Sequence, residues 1–275
     1  MSPLSEARAT TDRPPVGVLL SQWRSRRGRS QMQVAHAAGI SPRHLSFVET
    51  GRSQASVATI ERLAESLDLP LRDRNALLIA AGHAPRYAQS PISSDQLAGL
   101  HRSLETLVHA HMPFPAVVID RYGDVLLTNT AMDLLFSPLP VALRDPINVF
   151  RAVLHPDGLG DVIENRTQWA VALQRRLREA VATTADPLLA DLLDEIADYP
   201  ICRETRTTAE PPTPQPVLPL TVRLGDQRLT FAGLIAVLDE PRDVTAAELM
   251  LETFVPLDEA TRMVLEALAG GTSAQ

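Results

Sequence analysis

The chain carries one cysteine, Cys202, in 275 residues, no lysine at all, and an aromatic share of only 4%. A single thiol closes no internal disulfide, and without neighbouring cysteines it forms no structural zinc site of the usual spacing. A cytoplasmic protein is expected. Long apolar runs are missing as well. Residues 1–15 contain no apolar segment of signal-peptide length, and nothing approaches the roughly 18 uninterrupted apolar residues that a membrane span needs. No membrane partner is expected. With few aromatics, the cores must be built from Leu, Val, Ala and Ile. The arginine-only basic complement reads as a compositional bias of the lineage, although guanidinium forks suit phosphate contacts.

At roughly 150 residues per domain, the length suggests two domains, each long enough to bury its own core. The 45% hydrophobic content is ordinary for a folded protein and excludes disorder along the whole chain. Charge divides the chain sharply. The net −7 conceals 12 Arg against 7 acids up to residue 86, and 14 Arg against 26 acids beyond it. A basic first module is drawn to polyanions even though the whole protein is acidic.

Residues 1–15 are polar, lack periodicity and read as a flexible tail. From 16 to 84 the spacing predicts an all-α domain of five short helices. Val16 to Arg27 turns Leu19, Leu20 and Trp23 inward. Ser30 caps a second helix ending at Gly39, and Ser41, with Pro42 at the first helical position, opens a third ending at Gly51. Val57 to Leu67 and Leu71 to Ala81 complete the set. Residues 85–112 read as a linker and a connecting helix. There Ser93 and Gln96 resemble a capping box, and Leu97, Leu100, Leu104, Leu107 and Val108 form one apolar stripe.

From 113 to 270 the period changes. Ala116–Asp120 and Asp124–Thr128 form a hairpin around Arg121-Tyr122-Gly123. Helices follow at Thr130–Phe136, Asn165–Thr183 and Pro187–Asp198. After a proline-rich linker, 210–216, come strands at Val217–Leu224 and Arg228–Leu238 about a Gly225-Asp226 turn. Thr245 and Glu248 cap a turn, Leu249–Val255 is a last strand, and Asp258 starts a closing helix that ends near Gly270.

The informative stretch is Ser30-Gln-Met-Gln-Val-Ala-His-Ala-Ala-Gly-Ile-Ser-Pro-Arg-His-Leu-Ser-Phe-Val-Glu-Thr-Gly-Arg52. Small Ala35 and Ala38 let two helices cross closely, Gly39 accepts a left-handed turn, and Ile40, Leu45 and Val48 lock the second helix onto the first. It resembles the helix-turn-helix of the Xre, or lambda-repressor-like, family. That resemblance implies a double-stranded DNA operator as partner, contacted by Gln31, Gln33, Ser41, Pro42, Arg43, His44, Ser46, Phe47 and Arg52. Gln31 matches a phosphate-contacting position. Arg43 matches a base-reading one, where a guanidinium can fork onto guanine. Pro42 departs from the amide residue of phage repressors, so no base preference carries over. Phe47 either touches a thymine methyl or completes the small core. Arg24, Arg26, Arg27 and Arg29 either neutralise phosphates or form a solvated basic surface.

The resemblance continues through Arg72-Asp-Arg-Asn-Ala-Leu-Leu-Ile-Ala-Ala-Gly82, Leu154-His-Pro-Asp-Gly-Leu159 and Asp243-Val-Thr245. These look like regulators with an MmyB-like ligand-binding domain. The family implies a PAS-like antiparallel sheet with helices, a small apolar ligand such as a fatty acid, and a homodimer. The fold class is therefore an α+β two-domain protein. Candidates facing the cavity are Val118, Leu127, Phe136, Phe150, Trp169, Leu173 and Phe231, each of which ordinary core packing would equally explain. Asn129 either caps a helix or offers a polar anchor.

No catalytic set stands out: there is no GxSxG, HExxH, Walker A loop or dinucleotide-binding glycine set. No enzyme, cofactor or metal is expected. His109 and His111 are two apart and fall on different helix faces. Cys202 is open between an exposed redox thiol and a buried inert one. A second reading keeps the DNA module but gives the acidic remainder a protein partner, through flat exposed apolar surfaces instead of a cavity.

Overall fold

Side-chain caps decide where most of the helices begin. The structure is a computed structural model that describes residues 15–205 and 216–272. The tail expected over 1–15 and the linker expected over 210–216 lie almost wholly outside the described residues. The chain divides into two units, Met1–Ala88 and Gln89–Gln275.

The first unit holds α1 (Val16–Arg26), α2 (Gln31–Ala37), α3 (Pro42–Glu49), α4 (Val57–Ser66) and α5 (Leu71–Ala80). These are the five helices expected, with ends shifted by a residue or two. Ser30 and Gln33 close a reciprocal capping box over α2. Ser41 Oγ accepts the His44 amide at 3.1 Å, and Pro42 sits at the first helical position. Between these helices Gly39 has φ +63°, which lets the Ile40 amide return to the Ala35 carbonyl at 2.9 Å. The core is Leu20, Trp23, Val34, Ala35, Leu45, Val48, Ile60, Leu63, Leu77 and Leu78. It is aliphatic around one indole, as the composition requires.

The second unit begins with α6 (Ala98–Ala110). The capping box expected at Ser93 and Gln96 does not form: Gln96 Oε1 accepts from Ser90 Oγ at 2.5 Å, and the helix opens five residues after Ser93 without a side-chain cap. Then come β1 (Ala116–Ile119), β2 (Val125–Thr128), α7 (Thr130–Phe136), α8 (Val149–Leu154), α9 (Arg166–Thr184), α10 (Pro187–Ala197) and α11 (Pro200–Thr205). The run ends with β3 (Leu220–Leu224), β4 (Gln227–Val237), α12 (Val244–Ala247), β5 (Met250–Pro256) and α13 (Glu259–Thr272). The short α8 and α11 were not anticipated, because six residues show too little of a 3.6 period to register. Buried Asn129 and Asn148 cap α7 and α8. The turn before β5 is capped by Asp243, whose Oδ1 takes the Thr245 amide at 2.8 Å, and not by Thr245 and Glu248.

The five strands form one antiparallel sheet in the order β2-β1-β5-β4-β3. Ala116 and Val118 point to one face, where Leu104 and Val108 of α6 cover them; Val117 and Ile119 point to the other. Leu100, Leu104 and Val108 of the stripe expected on a connecting helix therefore pack on this unit's own sheet, whereas Leu107 of that stripe is exposed. Beyond the opposite face, α8, α9, α10 and α11 share a separate cluster built on Leu173, Leu177, Leu189 and Ile196. Among the described residues no helix is long and apolar enough to cross a membrane.

Gly17 is where α1 meets the end of α3 backbone to backbone, since a methyl group there would overlap the Glu49 carbonyl. Gly17→Ala is expected to cost about 2 kcal/mol or more through this overlap. Gly99→Ala, in open space on α6, is expected to gain roughly 0.5–1 kcal/mol. Hydrogen exchange of peptides from the two units measures both changes. Equal small effects would show that α1 and α3 are free to move apart.

Candidate DNA-reading surface and ligand cavity

The orientation of α3 is set from its C-terminal end. Glu49 is almost fully buried there, at 6% side-chain exposure. A carboxylate at this end of a helix faces the negative pole of the macrodipole, so it needs donors from elsewhere. Arg24 of α1 supplies Nε at 2.8 Å and Nη2 at 3.1 Å, and Gln31 of α2 supplies Nε2 at 2.7 Å. The same contacts raise the Arg24 pKa above its ordinary value, the hydrogen bond to Glu49 being the largest cause. Three helices thus converge on one carboxylate.

This changes the roles expected for several residues. The Gln31 amide, expected on phosphate, is engaged inside the unit. Arg27 donates to the Leu67 and Asp68 carbonyls at 3.0 and 3.1 Å, and Arg29 to the Ser66 carbonyl at 2.7 Å. Both close the C-terminal end of α4, where cations offset the dipole. Arg26 is exposed and lies over Trp23, 5.2 Å from the ring centroid. Gln33 and Ser41 serve as caps and remain exposed.

The outer face of α3 presents exposed Pro42 and Arg43, with half-buried His44, Ser46 and Phe47 behind them. The Arg43 guanidinium lies 5.3 Å from the Phe47 ring centroid, one turn on. Phe47 stands outside the apolar cluster of this unit, so it does not complete the small core. Its carbonyl accepts the Arg52 and Ser53 amides at 2.8 and 3.1 Å, shaping the loop that holds exposed Arg52. Among the described residues, Arg26, Arg43 and Arg52 are exposed in this region, as is Arg62 of α4, which lies near the Gly39 turn.

In the second unit an apolar cavity of about 80 Å³ lies between the sheet and the helices. Of the seven candidates, Phe136, Trp169 and Leu173 line it. Val118 and Leu127 do not: they pair across β1 and β2 and point to the α6 face, one residue out of phase with lining Val117. Phe150 turns into the cluster around Leu173 and Ile196, while its neighbour Val149 faces the cavity. Phe231 is fully buried behind lining Phe254, edge to face at 6.4 Å between centroids.

Lining residues missed in the sequence include Val117, Val222 and Phe254 on strands and Arg176 and Glu252 as charges. The alternation Met250, Glu252, Phe254 along β5 was the available signal for Phe254 and Glu252. Trp169 is pinned by its Nε1 donating to the Pro219 carbonyl at 2.9 Å.

Other candidates have structural roles. Asn129 caps α7 and donates to the Val108 and Phe114 carbonyls at 3.0 and 2.9 Å. His155-Pro-Asp-Gly is a tight turn, with the carbonyls at the end of α8 held by Arg166. His109 Nδ1 lies 2.8 Å from the Glu105 carbonyl and His111 packs edge-on to Phe114. Cys202 is buried, and burial pushes its thiol up to about 11.

Two outcomes follow from these environments. Glu49→Ala is expected to destabilise the first unit by about 2–3 kcal/mol, because partly buried Arg24 and Gln31 lose the acceptor they share, while Arg52→Ala stays within about 0.5 kcal/mol. Exchange rates of peptides from residues 16–49 distinguish them. At around pH 8 only about one Cys202 thiol in a thousand is ionised, so native protein is expected to resist a disulfide reagent that labels it fully once unfolded. Rapid native labelling would contradict the buried thiol.

Two family models match the chain. Residues 100–268, more than half of its length, match the MmyB-like transcription regulator ligand binding domain, and residues 15–77 match a helix-turn-helix domain. Among solved structures the chain is similar to the restriction-modification controller protein C.AhdI from Aeromonas hydrophila, at 30% identity over 22% of this chain and 89% of that one, with a TM-score of 0.21. No curated protein matches. The chain belongs to the family of MmyB-like transcription regulators, a helix-turn-helix DNA-binding module followed by an MmyB-like ligand-binding domain.

Proposed function

We propose that the chain is a ligand-responsive repressor that acts in the cytoplasm as a homodimer, on an operator whose two-fold-related half-sites lie about one helical turn apart. Its second unit is a PAS-like sensor of a small apolar ligand such as a fatty acid or acyl compound. The domains run as 16–84 for DNA reading, 85–112 for the connection and 113–270 for sensing. The strand order β2-β1-β5-β4-β3 supports the PAS-like reading.

One observation carries the sensing role: a cavity with almost wholly apolar walls between sheet and helices. Its volume limits what enters. About 80 Å³ is less than the roughly 150 Å³ that admits benzene, and far below the roughly 300 Å³ at which ligand pockets usually begin. A ligand longer than a few carbons must widen the gap between the sheet and α8 or α9. Thermal shift and native mass spectrometry with a series of fatty acids test the reading. Stabilisation rising with chain length supports it, and no shift with any member counts against it.

The second reading, a protein partner on the acidic unit, draws on β4, where Leu234, Ile235 and Val237 are each more than half exposed. In that case the fatty-acid series leaves the melting temperature unchanged, while these three positions are protected in a complex.

For DNA, Arg43 is the base reader and Arg52 a phosphate contact. On duplexes selected from a random pool, Arg43→Ala is expected to lose roughly 1–3 kcal/mol of discrimination. Arg52→Ala is expected to weaken all sequences alike and lower the salt slope by about one. Arg27→Ala should leave that slope unchanged. An Arg43→Ala protein that keeps both affinity and preference removes Arg43 from the readout.

A further inference from the structure

Two charged side chains stand among the apolar walls of the cavity, Arg176 on α9 and Glu252 on β5. Their placement follows from periodicity. Trp169, Leu173 and Arg176 are at helical spacing on one face of α9, and Met250, Glu252 and Phe254 alternate onto one face of β5.

The two charges do not form a closed pair. Arg176 Nη1 is 3.9 Å from Glu252 Oε1, and Nη2 donates to Met250 Sδ at 3.3 Å. A satisfied guanidinium makes two N–H···O⁻ contacts near 2.7–2.9 Å. Arg24 comes close to this with Glu49 at 2.8 and 3.1 Å, as does Arg151 with Glu195 at 2.8 and 2.6 Å. A thioether is a poor substitute for a carboxylate oxygen. Arg176 is also one-third exposed, at 32%, whereas Glu252 is at 12%, so an incoming group reaches the arginine first.

We propose that Arg176 is the head-group anchor of this cavity, and that it selects apolar-tailed ligands bearing a free carboxylate over their esters, alcohols or amines. The inference rests on the sensing role and narrows it. Arginine keeps its charge at every physiological pH, so an anionic head gains two forked contacts that Glu252 leaves unmade, while a cationic head meets a like charge. Burial pushes the Glu252 carboxyl up against the opposing influence of Arg176, which agrees with a loose pairing that an arriving carboxylate can replace.

Titration calorimetry of the full-length protein with octanoate, methyl octanoate, 1-octanol and octylamine tests the assignment. Octanoate is expected to bind about tenfold or more tightly than the alcohol and the ester, the size of a charge-assisted contact. In Arg176→Gln that preference is expected to fall to near one, with the affinity for 1-octanol little changed. Glu252→Gln, which removes the competing anion, is expected to tighten octanoate. Equal binding of octanoate and octanol by the wild type, or an undiminished preference in Arg176→Gln, overturns the anchor and leaves the apolar pocket standing. A preference for octylamine overturns it in favour of Glu252. Failure of every probe to bind overturns the sensing role as well. The wild-type comparison of head groups decides the matter even where a variant folds poorly.

Discussion

A carboxylate withdrawn from water must be met by donors or give up its charge, and two glutamates answer this constraint in opposite ways. Glu49 receives three hydrogen bonds from two partners, none longer than 3.1 Å. Glu252 has an arginine nearby but no closer than 3.9 Å. The first arrangement is complete and therefore rigid: displacing α1, α2 or α3 would strand a charge. The second is incomplete, and an incomplete polar group beside an apolar cavity is where added chemistry gains most. Fixed geometry suits a module that must hold one helix at a set angle to a duplex, and a loose pair suits a module that must exchange one partner for another.

The knot at Glu49 also redistributes the arginines. A basic cluster around the end of α1 looks uniform in sequence, yet Arg24, Arg27 and Arg29 are spent on Glu49 and on the end of α4. Among the described residues of this unit, what remains exposed is a sparse set, Arg26, Arg43, Arg52, Arg62 and Arg86, spread over α1, α3, α4 and the loops after α3 and α5. A few exposed cations with a rigid backing favour register over bulk attraction, since each phosphate contact adds affinity only if the frame holds its position. Gly17 belongs to the same frame, because the close approach of α1 to α3 brings Arg24 within reach of Glu49.

Much of the first unit was legible because its signals are local: Ser30 and Ser41 are caps, Gly39 is a turn, and the apolar residues keep helical spacing. The second unit hid what depends on long-range pairing. All four residues of β1 are buried, so the alternation that would separate Val117 from Val118 is erased, and choosing the cavity face was a choice of parity without a marker. Phe150 attracted attention by size, although its smaller neighbour Val149 faces the cavity. Trp169 and Leu173 were recoverable because α9 is long enough to display a stripe. The charges on the lining were visible as letters, but nothing local placed Arg176 beside Glu252 across 76 residues of chain.

The small volume of the cavity bears on how a bound molecule would be felt elsewhere. A space of about 80 Å³ that accommodates a longer tail must first expand, so a long ligand binds an expanded arrangement better than the closed one, and it shifts the population only by that difference in affinity. The sheet conveys the expansion because it is shared: Val117 lines the cavity while Val118, the next residue of β1, packs against α6. A close-packed layer cannot yield on one face alone. Displacement of β1 or β5 therefore reaches Leu104 and Val108, and α6 begins only ten residues after the last residue of the DNA-reading unit. The helix covering the back of the sheet is thus the element of the second unit that is both mechanically coupled to the cavity and close along the chain to the module that reads DNA.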